Sequence, residues 1–382
     1  MIVSRLSLKN WRNFRAIDVE MRERVFIVGA NASGKSNLLD VFRFLRDIAK
    51  QQGGGLQKAI EDRDGLSKIR CLAARKYPDV EIEVDLSDAD AENPKWKYAI
   101  GIRQEARGYR QPFLAYEKVW KDGTLILDRP NVDDKKDQER LKQTHLEQIN
   151  SNAEFREIAR FFESVVYIHL VPQLLKFPNA FAGKALEGDP FGKEFLQRIA
   201  RTTEKTRNAR LKKIEEGLRL AVPQLKGLQV EKDELGIPHL QASYEHWRSA
   251  GAKQREDQFS DGTLRLIGLL WSLLESDSLL LLEEPELSLN TGIVKELAGL
   301  IHRAQREKKR QVLISTHSAE LLGEGVGGEE TLLLEPKREG TEVRQASSIK
   351  EVRVMLESGF SVGEAVMPKV TPPKVRELSL GL

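Results

Sequence analysis

The 382-residue chain holds a single cysteine, Cys71, which excludes both an internal disulfide framework and a cysteine-rich zinc site. Histidine is scarce as well: six copies lie scattered, with no H-x-x-x-H pair to grip a metal from one helix face. No window approaches the ~18 uninterrupted apolar residues of a membrane span. Met1 to Phe14 interrupts its apolar residues with Arg5, Lys9 and Arg12, so the apolar core of a signal peptide is missing there too. The expected compartment is the cytoplasm. Neither sign of charge dominates, since 61 Lys and Arg against 58 Asp and Glu give a net +3. That balance permits nucleic-acid contact without demonstrating it, because contact needs a patch. What is present, 40% hydrophobic and 31% charged residues, describes a globular protein with a heavily charged surface. The length suffices for about two to three domains.

The most informative stretch is Gly29-Ala30-Asn31-Ala32-Ser33-Gly34-Lys35-Ser36, which reads G-x-x-x-x-G-K-[ST], a phosphate-binding loop. Its flanks are those the mechanism needs. Val25-Phe26-Ile27-Val28 ahead of it is a short apolar run of strand type, and Ser36 to Lys50 behind it spaces Leu38, Leu39, Val41, Phe42, Leu45 and Ile48 as a helix does. A strand, a glycine turn and a helix start aim successive backbone N–H groups at an anion. Lys35 then reaches the β- and γ-phosphates, and the Ser36 hydroxyl holds Mg²⁺. A glycine loop that merely turns a strand into a helix is the plainer alternative. The flanks favour a site for a nucleoside triphosphate.

A second chemical stretch is Ser278 to Glu286, where four leucines, Leu279 to Leu282, run into Glu283-Glu284-Pro285-Glu286. The run suits a central parallel strand covered on both faces. Carboxylates at a strand's C-terminal end are where an open α/β sheet places its ligand chemistry. Beside a phosphate loop, Glu283 would hold Mg²⁺, and Glu284 would orient or deprotonate the attacking water. An apolar helix capped by acids is the alternative, and Pro285 argues against it. Gln311 to Ser318 is another apolar strand that ends in polar residues and His317. A lone histidine is more often structural, but this one follows one helix after the acidic strand and should lie beside the γ-phosphate. Phe259-Ser260-Asp261-Gly262 opens an apolar helix, with Ser260 or Asp261 as N-cap and a second anion site at its start.

Elsewhere the patterns are those of scaffold. Ile2 to Leu8 alternates as an edge strand does, and residues 77–130 read as antiparallel strands with a hairpin turn at Asp122-Gly123. Pro130 to Arg140 is a polar linker, helix returns around Leu146 to Phe162, and Val165 to Leu170 is strand-like. Phe191 to Leu220 is helical and basic, with Lys193, Arg198, Arg201, Lys205, Arg207, Arg210, Lys212 and Lys213. A solvated helix face is the commoner meaning of such a run. It is also the best candidate for a DNA or RNA contact, which needs clustered Lys and Arg. Met367 to Leu382 carries prolines and reads as a loosely held tail. Three regions follow: an N-terminal lobe (1–135), a mainly helical basic insertion (136–235) and a C-terminal lobe (236–382).

Taken together, the Leu8-Lys9-Asn10-Trp11-Arg12-Asn13-Phe14 element, the phosphate loop, Ser260-Asp261-Gly262, the acidic strand, the Glu286–Asn290 segment and Ser315-Thr316-His317-Ser318 resemble the ABC-type ATPase heads of the SMC, RecF and OLD group. The likeness covers both ends of the chain and is greatest to stand-alone AAA-family ATPases of bacteria and archaea, which lack long coiled coils and a Toprim domain. It implies an α/β P-loop NTPase fold, an ABC-type head with an antiparallel β lobe and a helical insertion. ATP and Mg²⁺ are the implied ligands. ATP would contact Asn13, Gly29, Asn31, Ala32, Ser33, Gly34, Lys35, Ser36 and Asn37. Ser260 and Gly262 of a second copy would close the γ-phosphate side, making a homodimer on ATP binding with Leu287 to Asn290 at its junction. Glu284 would be the general base, His317 the γ-phosphate sensor, and Ser36 and Glu283 the metal ligands. Gln173 is the candidate metal-sensing glutamine, the alternative being a surface loop residue.

Two further expectations follow from the likeness: a role in DNA transactions or anti-phage defence, and a separately encoded nuclease-like effector. No membrane contact is expected of the chain itself, which shows no membrane segment, though a partner could supply one. Two departures stand out. The group has Asp where Glu283 stands, which puts metal geometry and hydrolysis rate in question. Ser-Asp-Gly also replaces the Ser-Gly-Gly of transporter-type heads. An ATP-gated nuclease of OLD type would need an acidic metal domain after the histidine loop, where 65 residues follow His317. A non-hydrolysing, nucleotide-gated scaffold is the remaining alternative.

Overall fold

A computed structural model describes the chain except for residues 75–77, 90, 92, 106–109, 181–188, 246–251 and 373–382. From the N-terminus come β1 (Ile2–Trp11), β2 (Phe14–Glu20), β3 (Arg24–Gly29), α1 (Lys35–Ala49) and the short α2 (Leu56–Glu61) and α3 (Leu66–Ile69). Then follow β4 (Val80–Ser87), β5 (Trp96–Gln104), β6 (Pro112–Lys121), β7 (Thr124–Arg129), α4 (Val132–Lys136), α5 (Arg156–Glu163) and β8 (Val166–Ile168). The middle of the chain carries α6 (Pro172–Lys176), α7 (Phe195–Arg201), α8 (Glu204–Ala221), β9 (Leu225–Lys232), β10 (Pro238–Tyr244) and β11 (Ala252–Arg255). Last come α9 (Asp261–Glu275), β12 (Leu280–Glu283), α10 (Thr291–Lys308), β13 (Val312–Thr316), β14 (Thr331–Lys337), β15 (Gly340–Gln345), α11 (Lys350–Glu357) and α12 (Val362–Val370).

The chain forms two compact units, one of residues 1–165, 278–281 and 310–382, the other of 166–277 and 282–309. In the first, an antiparallel sheet runs β2-β1-β4-β5-β6-β7. β1 is therefore internal, not the edge strand its alternation suggests, because the hairpin partner β2 covers its outer side. Asp122 and Gly123 both take positive φ, 47° and 78°, between Lys121 and Thr124. That is the primed two-residue turn whose twist matches the strands it joins. The same unit has an α/β sheet ordered β15-β14-β3-β13, with Leu280 and Leu281 of β12 next in line. β3 pairs parallel with both β13 and β14. Every residue of β3 is buried, as a strand covered on two faces requires.

Helix begins at Arg156, later than the Leu146–Phe162 span that periodicity favours. The preceding backbone is claimed by side chains: Asn152 Nδ2 donates to the Leu146 carbonyl at 3.0 Å, and the Leu146 N–H goes to Glu117 at 3.1 Å. Such local bonds compete directly with a helical ladder. In the second unit, β8 neighbours the Leu282–Glu283 end of β12, α7 and α8 are the basic helices, and β11-β10-β9 is a separate antiparallel sheet. The expected loose tail is helical as α12 up to Val370, and residues 373–382 lie outside the described residues.

Candidate functional site

In the first unit, β3 delivers the chain to the phosphate loop and α1 leads it away. Ala32 and Gly34 take φ of 61° and 102°, so the loop turns through left-handed backbone at two places. A Cβ on Gly34 would stand 2.1 Å from the Asn13 amide, so glycine is required there by space as well as by conformation. At Gly29 a Cβ would meet Ser33 Oγ at 2.3 Å. Ser33 Oγ is itself buried with no hydrogen-bond partner among the described residues. α1 opens with no side-chain cap and no acidic residue in its first turn. That uncapped start suits an anion.

Lys35, buried beneath the loop, donates to the carbonyls of Gly29 at 3.1 Å and Ala30 at 3.3 Å, and its Nζ stands 3.3 Å from His317 Nδ1. His317 is thus placed against the loop lysine from just beyond β13. Asn13 and Asn37 form a brace. Asn13 Nδ2 donates to the Ser33 carbonyl and to Thr341 Oγ1, both at 2.7 Å, while its Oδ1 accepts from Asn37 Nδ2 at 2.8 Å. Thr341 Oγ1 passes its own proton to the Ser33 carbonyl at 2.9 Å. Arg12 and Arg63 bind the buried Asp40 of α1, at 2.9 Å each. Burial works against the Asp40 carboxylate, but Arg63, Arg43 and Arg12 together hold its pKa below the ordinary value. Beside the brace lies a cleft of about 540 Å³ with Arg12, Asn13, Asn37, Lys68 and Arg70 among its walls.

The second unit gathers Gln173, Ser260, Gly262, Glu283 and Glu284. Glu283 ends β12, and its carboxylate accepts from the Tyr167 hydroxyl of β8. His169 Nδ1 lies 3.3 Å from the Glu283 carbonyl. Glu284 sits at φ 46°, a left-handed conformation for a residue with a Cβ, and Ser288 does so at 63°. Such strain costs about 1 kcal/mol or more and gathers where a side chain must be aimed. Ser260 is the N-cap of α9, its Oγ accepting from the Thr263 N–H at 3.1 Å. Gln173, exposed on α6, donates from Nε2 to Asp261 Oδ2 at 2.8 Å. Burial lowers the pKa of the Arg265 guanidinium, one turn into α9, against the opposing charges of Asp261, Glu284 and Glu286.

The basic helices are partly committed to packing. Arg210 stacks over Trp271 at 5.2 Å and donates to the Glu275 carbonyl at 3.0 Å, capping the end of α9. Arg198 pairs with Glu275 at 3.5 Å, and Arg207 reaches the carbonyls of Ala200 and Thr202. Arg201, Lys205 and Lys212 point to solvent. No described helix is long and apolar enough to cross a membrane.

Within the first unit, a lysine, an uncapped helix start and the Ser36 hydroxyl fit a phosphate chain; within the second, Glu283 offers a carboxylate of the kind that suits a hard cation. Comparison with known proteins agrees in kind. The chain is 31% identical over 94 residues to the DNA replication and repair protein RecF of Synechocystis sp., covering 24% of each chain. It is 26% identical over 88 residues to RecF of Bacillus cytotoxicus, covering 23% of this chain and 24% of that one. The matches thus span about a quarter of those relatives. Among solved structures, an SMC head bound to the C-terminal winged-helix domain of ScpA superposes with a TM-score of 0.51 at 17% identity, covering 90% of this chain and 97% of that one. An SMC head with an extended coiled coil, bound to the C-terminal domain of ScpA and derived from Pyrococcus furiosus, gives 0.50 at 16%, covering 94% and 99%. At such identities the likeness is one of fold. A family profile described as "AAA domain, putative AbiEii toxin, Type IV TA system" matches residues 24–323. The chain belongs to that family, and its fold is that of an SMC head.

Proposed function

We propose that the chain is a dimerising, ATP-hydrolysing head that acts on DNA or in defence against foreign DNA through a separate effector protein. Backbone N–H groups of residues 29–36 and the Lys35 ammonium hold the β- and γ-phosphates, with Asn13 and Asn37 setting the loop. Mg²⁺, taken by the Ser36 hydroxyl and the Glu283 carboxylate, supplies charge neutralisation at the phosphates when bound. Glu284 orients the attacking water and accepts its proton, and His317 reports the γ-phosphate. Ser260 and Gly262 of a second copy complete the site, so that ATP joins two heads and hydrolysis releases them, a bistable element biased by one phosphoryl group.

The observation that carries this reading is Lys35, folded onto the carbonyls of its own loop and within 3.3 Å of His317, in a loop whose glycines leave room for nothing larger. An anion entering the loop exchanges those weak contacts for ionic ones. Relatives named for DNA replication and repair support a DNA role, and the toxin named in the family description supports a defensive one. Glu284→Gln is the decisive variant. Hydrolysis should fall by roughly 10²–10⁴-fold, the usual worth of a general base, while ATP binding persists and a dimer accumulates in sedimentation velocity runs. A Glu284→Gln protein that stays monomeric with saturating ATP and Mg²⁺ sinks the dimer reading. Unchanged hydrolysis removes Glu284 from the chemistry.

A further inference from the structure

Asp261 is the first residue of α9, between the two residues assigned above to a phosphate. A carboxylate at that position is the natural competitor of an incoming anion for the N–H groups of the helix start. Here it is turned away from them and onto α6. Gln173 Nε2 donates to Asp261 Oδ2 at 2.8 Å, and Lys176 Nζ donates to Oδ1 at 2.7 Å. The two donors stand three residues apart on one face of a short helix, so a single carboxylate occupies both. The Lys176 side chain is only 14% exposed against 35% for Asp261, which screens the pair less than an ordinary surface ion pair. Close packing fixes the rest of the loop: a Cβ on Gly262 would stand 2.5 Å from the Ser288 carbonyl.

We infer that Lys176 and Gln173 are positioning residues that draw the Asp261 carboxylate off the start of α9 and neutralise it, so that Ser260 and Gly262 can accept the γ-phosphate of ATP held by a second copy of the chain. The inference rests on the dimer reading proposed above, and it gives Gln173 a task other than touching a metal. An uncompensated carboxylate about 6 Å from a phosphate, at an effective dielectric constant of about 40, weakens binding roughly ten-fold. Lys176 removes that penalty, and Gln173 fixes the geometry.

Two measurements separate the clamp from the reading beneath it. In a Glu284→Gln background with ATP and Mg²⁺, adding Lys176→Met should raise the dimer dissociation constant about ten-fold by sedimentation velocity. Affinity for a fluorescent ATP analogue at the isolated protomer should stay within about two-fold. Lys176→Arg should retain dimerisation, and Asp261→Asn added to Lys176→Met should restore most of it, because the charge that needed neutralising is gone. Equal dimerisation of Lys176→Met and its parent, or no restoration by Asp261→Asn, overturns the inference. If the parent itself does not dimerise, the reading fails, and the clamp is judged without ATP. Hydrogen exchange at amides 261–266 should then be several-fold faster in Lys176→Met than in the unaltered chain, and equal exchange overturns it.

Discussion

Each unit presents a loop at the start of a helix, and the two starts are built in opposite ways. α1 begins at a left-handed glycine with no side-chain cap and no acid in its first turn. α9 begins with Ser260 already bonded to the Thr263 N–H and with Asp261 next to it. The first helix keeps its own anions away from its N-terminus; the second carries one and holds it aside with Lys176 and Gln173. Bracing differs in reach as well. Asn13 and Thr341, which meet at the Ser33 carbonyl, stand 328 residues apart in the chain, whereas Gln173 and Asp261 stand 88 apart. The nucleotide loop is therefore shaped by the folding of the whole first unit, and the Ser260 loop by a short helix next to it.

The largest effect that probes this contrast is Lys35→Met. Removing the buried ammonium should cost roughly 100-fold or more in ATP affinity, since an ion-to-phosphate bond in a closed loop is worth several kcal/mol. A fluorescent-nucleotide titration reads it. Far-ultraviolet circular dichroism should stay unchanged, because the named contacts of the lysine are with loop carbonyls and His317, not with a helical or strand ladder. Retained affinity would mean that the loop is an ordinary turn. Asn13→Ala comes next. It leaves the Ser33 carbonyl with Thr341 alone and strips Asn37 of its acceptor, which should cost about 1–2 kcal/mol of stability and roughly ten-fold in ATP affinity. Thr341→Val should cost less, because Asn13 still reaches the Ser33 carbonyl. Equal losses in the two variants would show that the brace acts as one unit and not as a hierarchy.

How much of this is legible in the sequence follows the same contrast. The phosphate loop, its strand and its helix are local, and every part is visible in a 25-residue window from Val25 to Ala49. The Ser260 cap and the acidic strand are also local, and they stand where their residues suggest. The Asn13–Thr341 brace has no local signal, because its partners meet only when β15 folds beside the loop. The β11-β10-β9 sheet escapes for another reason. Buried Leu225 and Leu228 are three residues apart, a helical interval, because Gly227 at φ 66° inserts an extra residue where the register of β9 against β10 shifts. A bulge of that kind resets the two-residue alternation by which strands are recognised. Gln173 has a partner that no local pattern announces. It follows a strand as a metal-sensing glutamine does, and its amide donates to Asp261, 88 residues away in the chain.

The units should also part company on acidification. The first unit buries Glu117, Arg129 and Asp134 together, and the backbone N–H of His145 donates to Glu117 at 2.7 Å. Burial, helped by Arg129, pushes the His145 imidazole down from 6.5 to about 4. Between those values the unfolded chain holds a proton that the folded chain does not, so stability falls as pH drops from 6.5 towards 4. Burial raises the pKa of Glu117, which works in the opposite direction, so the histidine must be isolated by substitution. In His145→Gln the acid-side loss of melting temperature across that window should shrink by a few degrees relative to the unaltered chain, about 1 kcal/mol once solvent access to the ring is allowed for. Parallel melting curves for the two proteins would mean that the imidazole is hydrated in the folded state.

The smallest effect tests whether the second unit's basic helices serve packing or nucleic acid. Arg210 is occupied by Trp271 and the Glu275 carbonyl, while Arg201 and Lys205 face solvent. Arg210→Met should therefore lower stability by about 1 kcal/mol, the worth of a partly buried cation–π pair and a helix-end bond. It should leave the salt dependence of DNA binding nearly unchanged. Arg201→Gln with Lys205→Gln should do the reverse: stability within about 0.5 kcal/mol, and a log–log salt slope smaller by roughly one for each phosphate no longer neutralised. The two variants share a helix pair but remove one charge and two respectively, so Arg201→Gln alone, matched to Arg210→Met in charge, is the control that separates the position of the charge from its amount. If both leave DNA affinity and its salt slope untouched, the basic run is a solvated face stapled to α9 by Arg210. Any DNA-binding surface must then be sought in the first unit.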